Sequence, residues 1–264
     1  MKKTTRIGQV LLVQGVTGGA GATSLACAMS AVTASEGHET CLVDMDLQAG
    51  ACGDYAGVQA RRASQDLFEN LDRVTDHHVN AATEVTGSGA RIIGAPTKMA
   101  PPDLVTSSGF TRLSEVLRER YDVVIMDMPR TLAEWCETAF LESDALVAVM
   151  TSDLRAARNL GRLYNALGSG DPTTDETRRA AFLARMIPVF GRAPQRVVPG
   201  LNAHESRVAE GLGINGVERS PEDSNLANAV EKGRAMENPK RGPYARSAAR
   251  VMNRARRFSE GGPS

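Results

Sequence analysis

Six short, largely apolar runs punctuate the first two thirds of the chain: Val10–Val13, Cys41–Val43, Arg91–Ile93, Val123–Met126, Ala145–Met150 and Phe182–Val189. Near-continuous apolarity, rather than strict alternation, marks strands buried on both faces, as in a parallel sheet covered by helices on each side. Helical patterns lie between them at Thr23–Glu36, Ser64–Asp72, Phe110–Arg120, Leu132–Leu141 and Asp153–Leu167. This alternation predicts an α/β fold with a doubly wound, mostly parallel sheet flanked by helices. The turn-rich stretches Ala95–Pro102 and Gly168–Thr174 read as surface loops. Beyond Pro194 the pattern thins. Helices are expected near Ala203–Gly211, Ser224–Gly233 and Pro243–Phe258, with a disordered tail over 259–264. No linker divides the chain, so residues 1–258 read as a single domain.

The segment Gly15–Ser24, G-V-T-G-G-A-G-A-T-S, joins the first strand to the first helix. A glycine-rich turn opening a helix aims backbone N–H groups and the helix's partial positive charge at an anion. In a P-loop a lysine precedes the hydroxyl residue and reaches the outer phosphates, and the hydroxyl holds magnesium. Here Ala22 stands at the lysine position and Thr23 follows. Gly18, Gly19, Ala20, Gly21, Ala22, Thr23 and Ser24 are therefore the expected nucleotide-binding residues.

Carboxylates follow two of the other strands: Asp44-Met45-Asp46-Leu47-Gln48 after the second and Asp127-Met128-Pro129-Arg130 after the fourth. In a doubly wound sheet both groups fall at the edge that carries the glycine loop. Magnesium takes few protein oxygens, so Thr23 with Asp127, waters and phosphate would suffice. Asp46 is the candidate to orient an attacking water, and Asp44 is a further candidate. Each piece also has a plainer use, since strand-end aspartates commonly cap helices or form turns. The joint occurrence in the right order is what points to a nucleotide site.

Composition narrows the classes. With 264 residues, 42% of them hydrophobic, the chain can bury a substantial core. Lysine plus arginine balance aspartate plus glutamate at 31 each, so any contact with nucleic acid or anionic lipid must be local. Four cysteines without a C-x-x-C pair and four histidines without ligand spacing fit a reduced, cytoplasmic protein lacking a structural metal. The adjacent His77-His78 pair reads as loop surface, and Trp135 as core or interface. A dinucleotide-binding enzyme is disfavoured: the glycines run G-x-x-G-x-x-G, and no tyrosine is followed four residues on by lysine.

At these residues the chain resembles a known family. Thr17-Gly18-Gly19-Ala20-Gly21-Ala22-Thr23 is similar to the deviant phosphate loop of the MinD/ParA ATPases, Lys-Gly-Gly-x-Gly-Lys-Thr, with both lysines replaced. LVDMDLQAG (Leu42–Gly50) resembles their next segment. GAP (Gly94–Pro96), YDVVIMDMPR (Tyr121–Arg130), SDALVAV (Ser143–Val149) and DLRAARNLGRLYNAL (Asp153–Leu167) resemble the CpaE/TadZ branch of Tad (Flp) pilus assembly. The resemblance runs over Gln9–Arg256 and is strong to Leu167. It implies a P-loop NTPase fold and a cytoplasmic protein that binds ATP with Mg2+. It also implies a homodimer formed around nucleotide, which positions pilus assembly, often at a cell pole or the inner membrane face. Many members carry a receiver-like N-terminal domain, whereas this chain starts at the ATPase domain. The asparagine with which relatives read adenine has no counterpart near Arg185–Pro188.

The absent lysines bear on turnover. A cation ~4 Å from a phosphate oxygen is worth about 4 kcal/mol at an effective dielectric of 20, before desolvation. The expectation is at most a slow ATPase, with Thr17 unable to supply charge across a dimer and Arg130 a candidate substitute cation. The plainer reading of Arg130 is a surface ion pair. The segment Pro243–Phe258 sets Tyr244, Ala248, Val251, Ala255 and Phe258 at helical spacing among five arginines. That pattern suits either packing on the domain or peripheral membrane contact. Two other functions stay open: a nucleotide-independent dimeric scaffold, and a chromosome or plasmid partition ATPase.

Overall fold

The structure, a computed structural model, describes residues 7–59, 61–131, 133–151, 153–166, 184–193, 217–237 and 242–259, with 180 and 210. The loop at 168–174, the helix near 203–211 and the tail beyond 259 lie outside the described residues.

The strands are β1 (Gln9–Gly15), β2 (Thr40–Asp44), β3 (Glu84–Val85), β4 (Arg91–Ile93), β5 (Val123–Met128), β6 (Ala145–Met150), β7 (Met186–Ala193) and β8 (Glu218–Pro221). They form one sheet in the order β3-β4-β2-β5-β1-β6-β7-β8. Every pairing is parallel except β3 with β4. β1 therefore lies in the interior between β5 and β6, and all five residues of β2 and all six of β5 and of β6 are buried. This is the reason those strands read as unbroken apolar runs.

The helices are α1 (Ala22–Ser35), α2 (Cys52–Ala56), α3 (Arg62–Phe68), α4 (Asp76–Ala82), α5 (Ser107–Arg120), α6 (Trp135–Glu142), α7 (Leu154–Ala166), α8 (Ser224–Glu231) and α9 (Pro243–Ser259). Two core layers follow from the alternating faces of the strands. On one, Leu67 and Phe68 of α3, Val79 of α4, Phe110 and Leu113 of α5, Trp135 of α6 and Leu160 of α7 pack on Val10, Leu12, Val43 and Val124. On the other, α1, α2 and α9 pack on Leu11, Val13, Leu42 and Ile125. The predicted doubly wound fold is what forms.

Helix α1 is enclosed by the sheet and by α9, with every residue from Leu25 to Thr33 buried. Its hydroxyls stay satisfied because Ser30 donates to the Ala26 carbonyl and Thr33 to that of Met29. α9 spends Tyr244, Ala248, Val251, Met252 and Ala255 in that layer. On its outer side Arg256 pairs with Glu36 at 2.7 Å and Arg250 with Glu218 at 3.2 Å. Of the two readings of Pro243–Phe258 the packed helix is the one observed, its apolar side chains lying against α1 and the sheet.

Other differences have local causes. The helix expected over Ser64–Asp72 is α3 followed by a 3-10 turn at Leu71–Arg73. The strand expected at Phe182–Val189 is shifted to Met186–Ala193, in register with β6 from Leu146↔Met186. Arg185 ends that apolar stretch by donating to the carbonyls of Leu141 and Ser143. His77 and His78 are exposed as expected but sit in the first turn of α4, where the His78 ring meets the Thr75 hydroxyl at 3.0 Å in a capping box. Trp135 is core: it stacks on Phe110 and donates Nε1–H to the Pro102 carbonyl at 3.0 Å.

Candidate nucleotide site

The site grows from the carboxyl ends of β1, β2 and β5. Between β1 and α1 the chain must reverse closely enough to aim amide groups inward, and Gly19 and Gly21 do so at φ 72° and 91°. These are left-handed values that cost a side-chain-bearing residue strain. Gly21 is the N-cap of α1, with no side-chain cap and no acidic residue in the first turn. The leading N–H groups of a 14-residue helix thus face a cleft of about 530 Å³ unclaimed by protein carboxylate. Its walls include Gly18–Ser24, Asp46, Asp127, Arg130 and Arg192.

Register explains how the carboxylates meet. Asp44 and Asp127 are Cα partners at the ends of adjacent parallel strands, so their side chains share a face. Both are buried. Asp44 accepts from the Cys52 amide at 2.9 Å and from the Asp46 amide at 3.2 Å. Asp127 accepts from the Cys52 thiol at 3.4 Å and shares the cleft wall with Thr23. Ligand atoms of Asp44, Cys52 and Asp127 lie within 4.8 Å of one another.

Burial pushes the Asp44 carboxyl up to about 6. Burial first, and then the Asp44 charge, push Asp127 up to about 7. Two carboxyls held near neutrality beside an amide-lined anion cleft are short of positive charge, which a divalent cation would supply. Asp46 stands apart. It is partly exposed on the cleft wall, and its Oδ1 accepts from the Gln48 and Ala49 amides at 3.2 and 3.0 Å, so one oxygen shapes its own turn.

All the residues expected to hold nucleotide, Gly18 to Ser24, line one cleft together with Asp46, Asp127, Thr17 and Arg130. Asp44 is behind the wall, in contact with the loop through Asp46 and Cys52. Thr17 is tied inward: its hydroxyl meets that of Thr151 at 3.0 Å and accepts from the Thr151 amide at 3.0 Å.

Four contributors were not singled out from sequence as site residues. Cys52 links both buried aspartates. Tyr244 donates from α9 to the Gly21 carbonyl at 3.1 Å. Tyr55 and Arg192 line the cleft, Arg192 at φ 51° just past Gly191. A β-carbon on Gly191 would lie 1.9 Å from the Ala20 carbonyl oxygen, so glycine there lets β7 abut the loop. A strand end is the one signal that could have flagged Arg192, and the apolar run misplaces that end.

The chain is similar to the sporulation initiation inhibitor protein Soj of Bacillus subtilis, at 24% identity over 167 residues, 61% of this chain and 65% of Soj. It is likewise 24% identical over 178 residues to a putative tyrosine-protein kinase EpsB of Ralstonia nicotianae, covering 66% of this chain and 23% of the kinase. The chain thus spans less than two thirds of the length of either relative.

Among solved structures, a ParA family ATPase from Chlorobium tepidum superposes with a TM-score of 0.73 at 16% identity, over 92% of this chain and 96% of that one. Cobyrinic acid a,c-diamide synthase from Mycobacterium smegmatis, solved with an ATP analogue and magnesium, gives 0.69 at 17% identity over 96% of each chain. These likenesses carry the fold. The AAA domain family (AAA_31) matches residues 8–175, a span holding the loop, both carboxylate segments and six of the eight strands. By that match the chain belongs to the AAA domain family (AAA_31), and its architecture is the P-loop NTPase fold of the ParA and MinD structures.

Proposed function

We propose that the chain is an ATP-dependent switch of the CpaE/TadZ type that positions Tad/Flp pilus assembly, as a homodimer formed around nucleotide, with weak hydrolysis. The observation that carries the nucleotide part is that Thr23, in the first turn of α1, lines one cleft with the buried Asp127. It joins an uncapped helix N-terminus to a carboxylate pair in need of a cation. Backbone amides of Gly18 to Ala22 would hold phosphate, and Thr23 with Asp127 would hold Mg2+, Asp127 through water. Mg2+ would supply charge neutralisation between phosphate oxygens. Asp46 would orient water with the oxygen its turn leaves over.

Weak turnover rests on Thr17 and Ala22 at the two lysine positions. Pilus positioning rests on the resemblance of the GAP, DMPR and SDALVAV segments. Calorimetric titration with Mg-ATP tests the core: millimolar or tighter binding is expected, and its absence overturns the reading. Sedimentation with and without ATP separates the switch from a nucleotide-independent scaffold, whose dimer would not respond.

The partition ATPase has one observation in its favour: α7 exposes Arg155, Arg158 and Arg162, a local basic face on a chain without net charge. Salt-dependent retention on non-specific DNA would support it.

A further inference from the structure

The glycine loop contains no cation of its own. Its first lysine position, Thr17, is committed to Thr151, and through that hydroxyl to Asp153 at 3.1 Å. Its second, Ala22, ends at a methyl group. Charge against the outer phosphates must therefore come from elsewhere in the fold.

Arginines 130 and 192 both line the cleft with the loop. Arg192 follows Gly191, whose backbone abuts Ala20, and its charge acts on Tyr55 and Tyr244. It belongs to the second half of the loop. Arg130 belongs to the first. It leaves the end of β5 three residues beyond Asp127, and a β-carbon on Gly18 would lie 2.7 Å from its Nη1. The guanidinium thus lies against the loop at Gly18, on the cleft that Thr23 and Asp127 also line, where the outer phosphates of a bound triphosphate are expected. It is exposed, and among the described residues no carboxylate pairs with it. The surface ion pair that would be its plainer use is not formed there.

We infer that Arg130 supplies, from the end of β5, the positive charge on the outer phosphates of a nucleoside triphosphate that the loop sequence lacks, and so distinguishes triphosphate from diphosphate. This rests on the nucleotide reading above. A guanidinium offers several N–H donors in a planar fork and can span two phosphate oxygens, a geometry an ammonium does not share. Because Arg130 comes from the carboxylate strand and not from the loop, the loop can accept Thr17 and Ala22 and keep its charge.

The test compares Mg-AMP-PNP and Mg-ADP by calorimetry on the full chain, for wild type, Arg130→Ala and Arg130→Lys. Arg130→Ala should weaken AMP-PNP by about tenfold or more and ADP by less than about threefold. Arg130→Lys should recover part of the loss. The AMP-PNP affinity of the wild type should also fall more steeply with KCl than that of Arg130→Ala. Equal losses for both nucleotides, or none for either, would overturn the inference while leaving the nucleotide site standing. Failure of the wild type to bind either nucleotide would instead overturn the site itself. Because Arg130 is exposed and outside the core, unchanged thermal melts should accompany each variant.

Discussion

The hydroxyl of Tyr244 donates to the carbonyl of Gly21 at 3.1 Å, tying the last helix to the glycine at which the phosphate loop becomes α1. Tyr244 is 223 residues from Gly21 in sequence, buried, and its phenol is pushed upward chiefly by that burial. The loop conformation is therefore held from outside as well as by its glycines. Tyr244→Phe keeps the ring and removes the bond. It should cost about 1 kcal/mol in denaturant unfolding and weaken nucleotide severalfold, since Gly21 would lose its restraint. Unaltered affinity would show that the loop is rigid without α9.

Gly191 gives a packing prediction. A β-carbon there would lie 1.9 Å from the Ala20 carbonyl oxygen, which leaves no room for a methyl group, whereas one on Gly94 would meet nothing within 4 Å. Gly191→Ala should destabilise the chain by about 3 kcal/mol and reduce nucleotide binding, and Gly94→Ala should be close to neutral. Chemical denaturation of the two variants side by side provides the comparison.

The two lysine positions should behave differently on substitution. Thr17→Ala removes the acceptor of the Thr151 amide and should cost about 1 kcal/mol of stability. Ala22 is partly exposed on the cleft wall, so Ala22→Lys should fold normally and strengthen AMP-PNP binding by about tenfold. Steady-state phosphate release from Ala22→Lys should exceed that of the wild type. Unchanged release would place the limit on turnover elsewhere, for example at Asp46.

The carboxylate pair gives a pH prediction. Asp44 and Asp127 carry carboxyls pushed up to about 6 and about 7, by burial in both cases and next by mutual repulsion at Asp127. The folded chain therefore binds more protons than the unfolded chain between about pH 4 and pH 7, and stability falls as pH rises through that window. Without nucleotide or divalent cation, the protein should be more stable at about pH 5 than at about pH 8, by on the order of 3 kcal/mol. Asp127→Asn should flatten the dependence. Melting curves that rise with pH in the presence of chelator would contradict the assignment.

Much of this molecule was readable in one dimension because a strand buried on both faces has no choice of residue type. Val123–Met126 and Ala145–Met150 read as strands for that reason, and their aspartate and loop neighbours read as a site because strand ends in a doubly wound sheet share an edge. Elements with weaker constraint were missed. β3 is two residues at an edge, and β8, Glu-Arg-Ser-Pro, is a polar edge strand. α2 is five residues long and contains a glycine.

Sequence by itself determined the layered fold class, the glycine-rich turn at Gly15–Ser24 and the carboxylates that share its edge, because local pattern dictates burial and strand–helix alternation dictates the common edge. Tertiary structure alone decided which residues touch. Asp44 meets Asp127 because β2 and β5 pair in that register. Tyr244 meets Gly21 because α9 closes over α1, and Arg130 lies over Gly18 because β5 ends beside the loop. Each of these contacts joins segments far apart in the chain, and pairing register and helix packing, which set them, leave no mark on any short stretch of sequence.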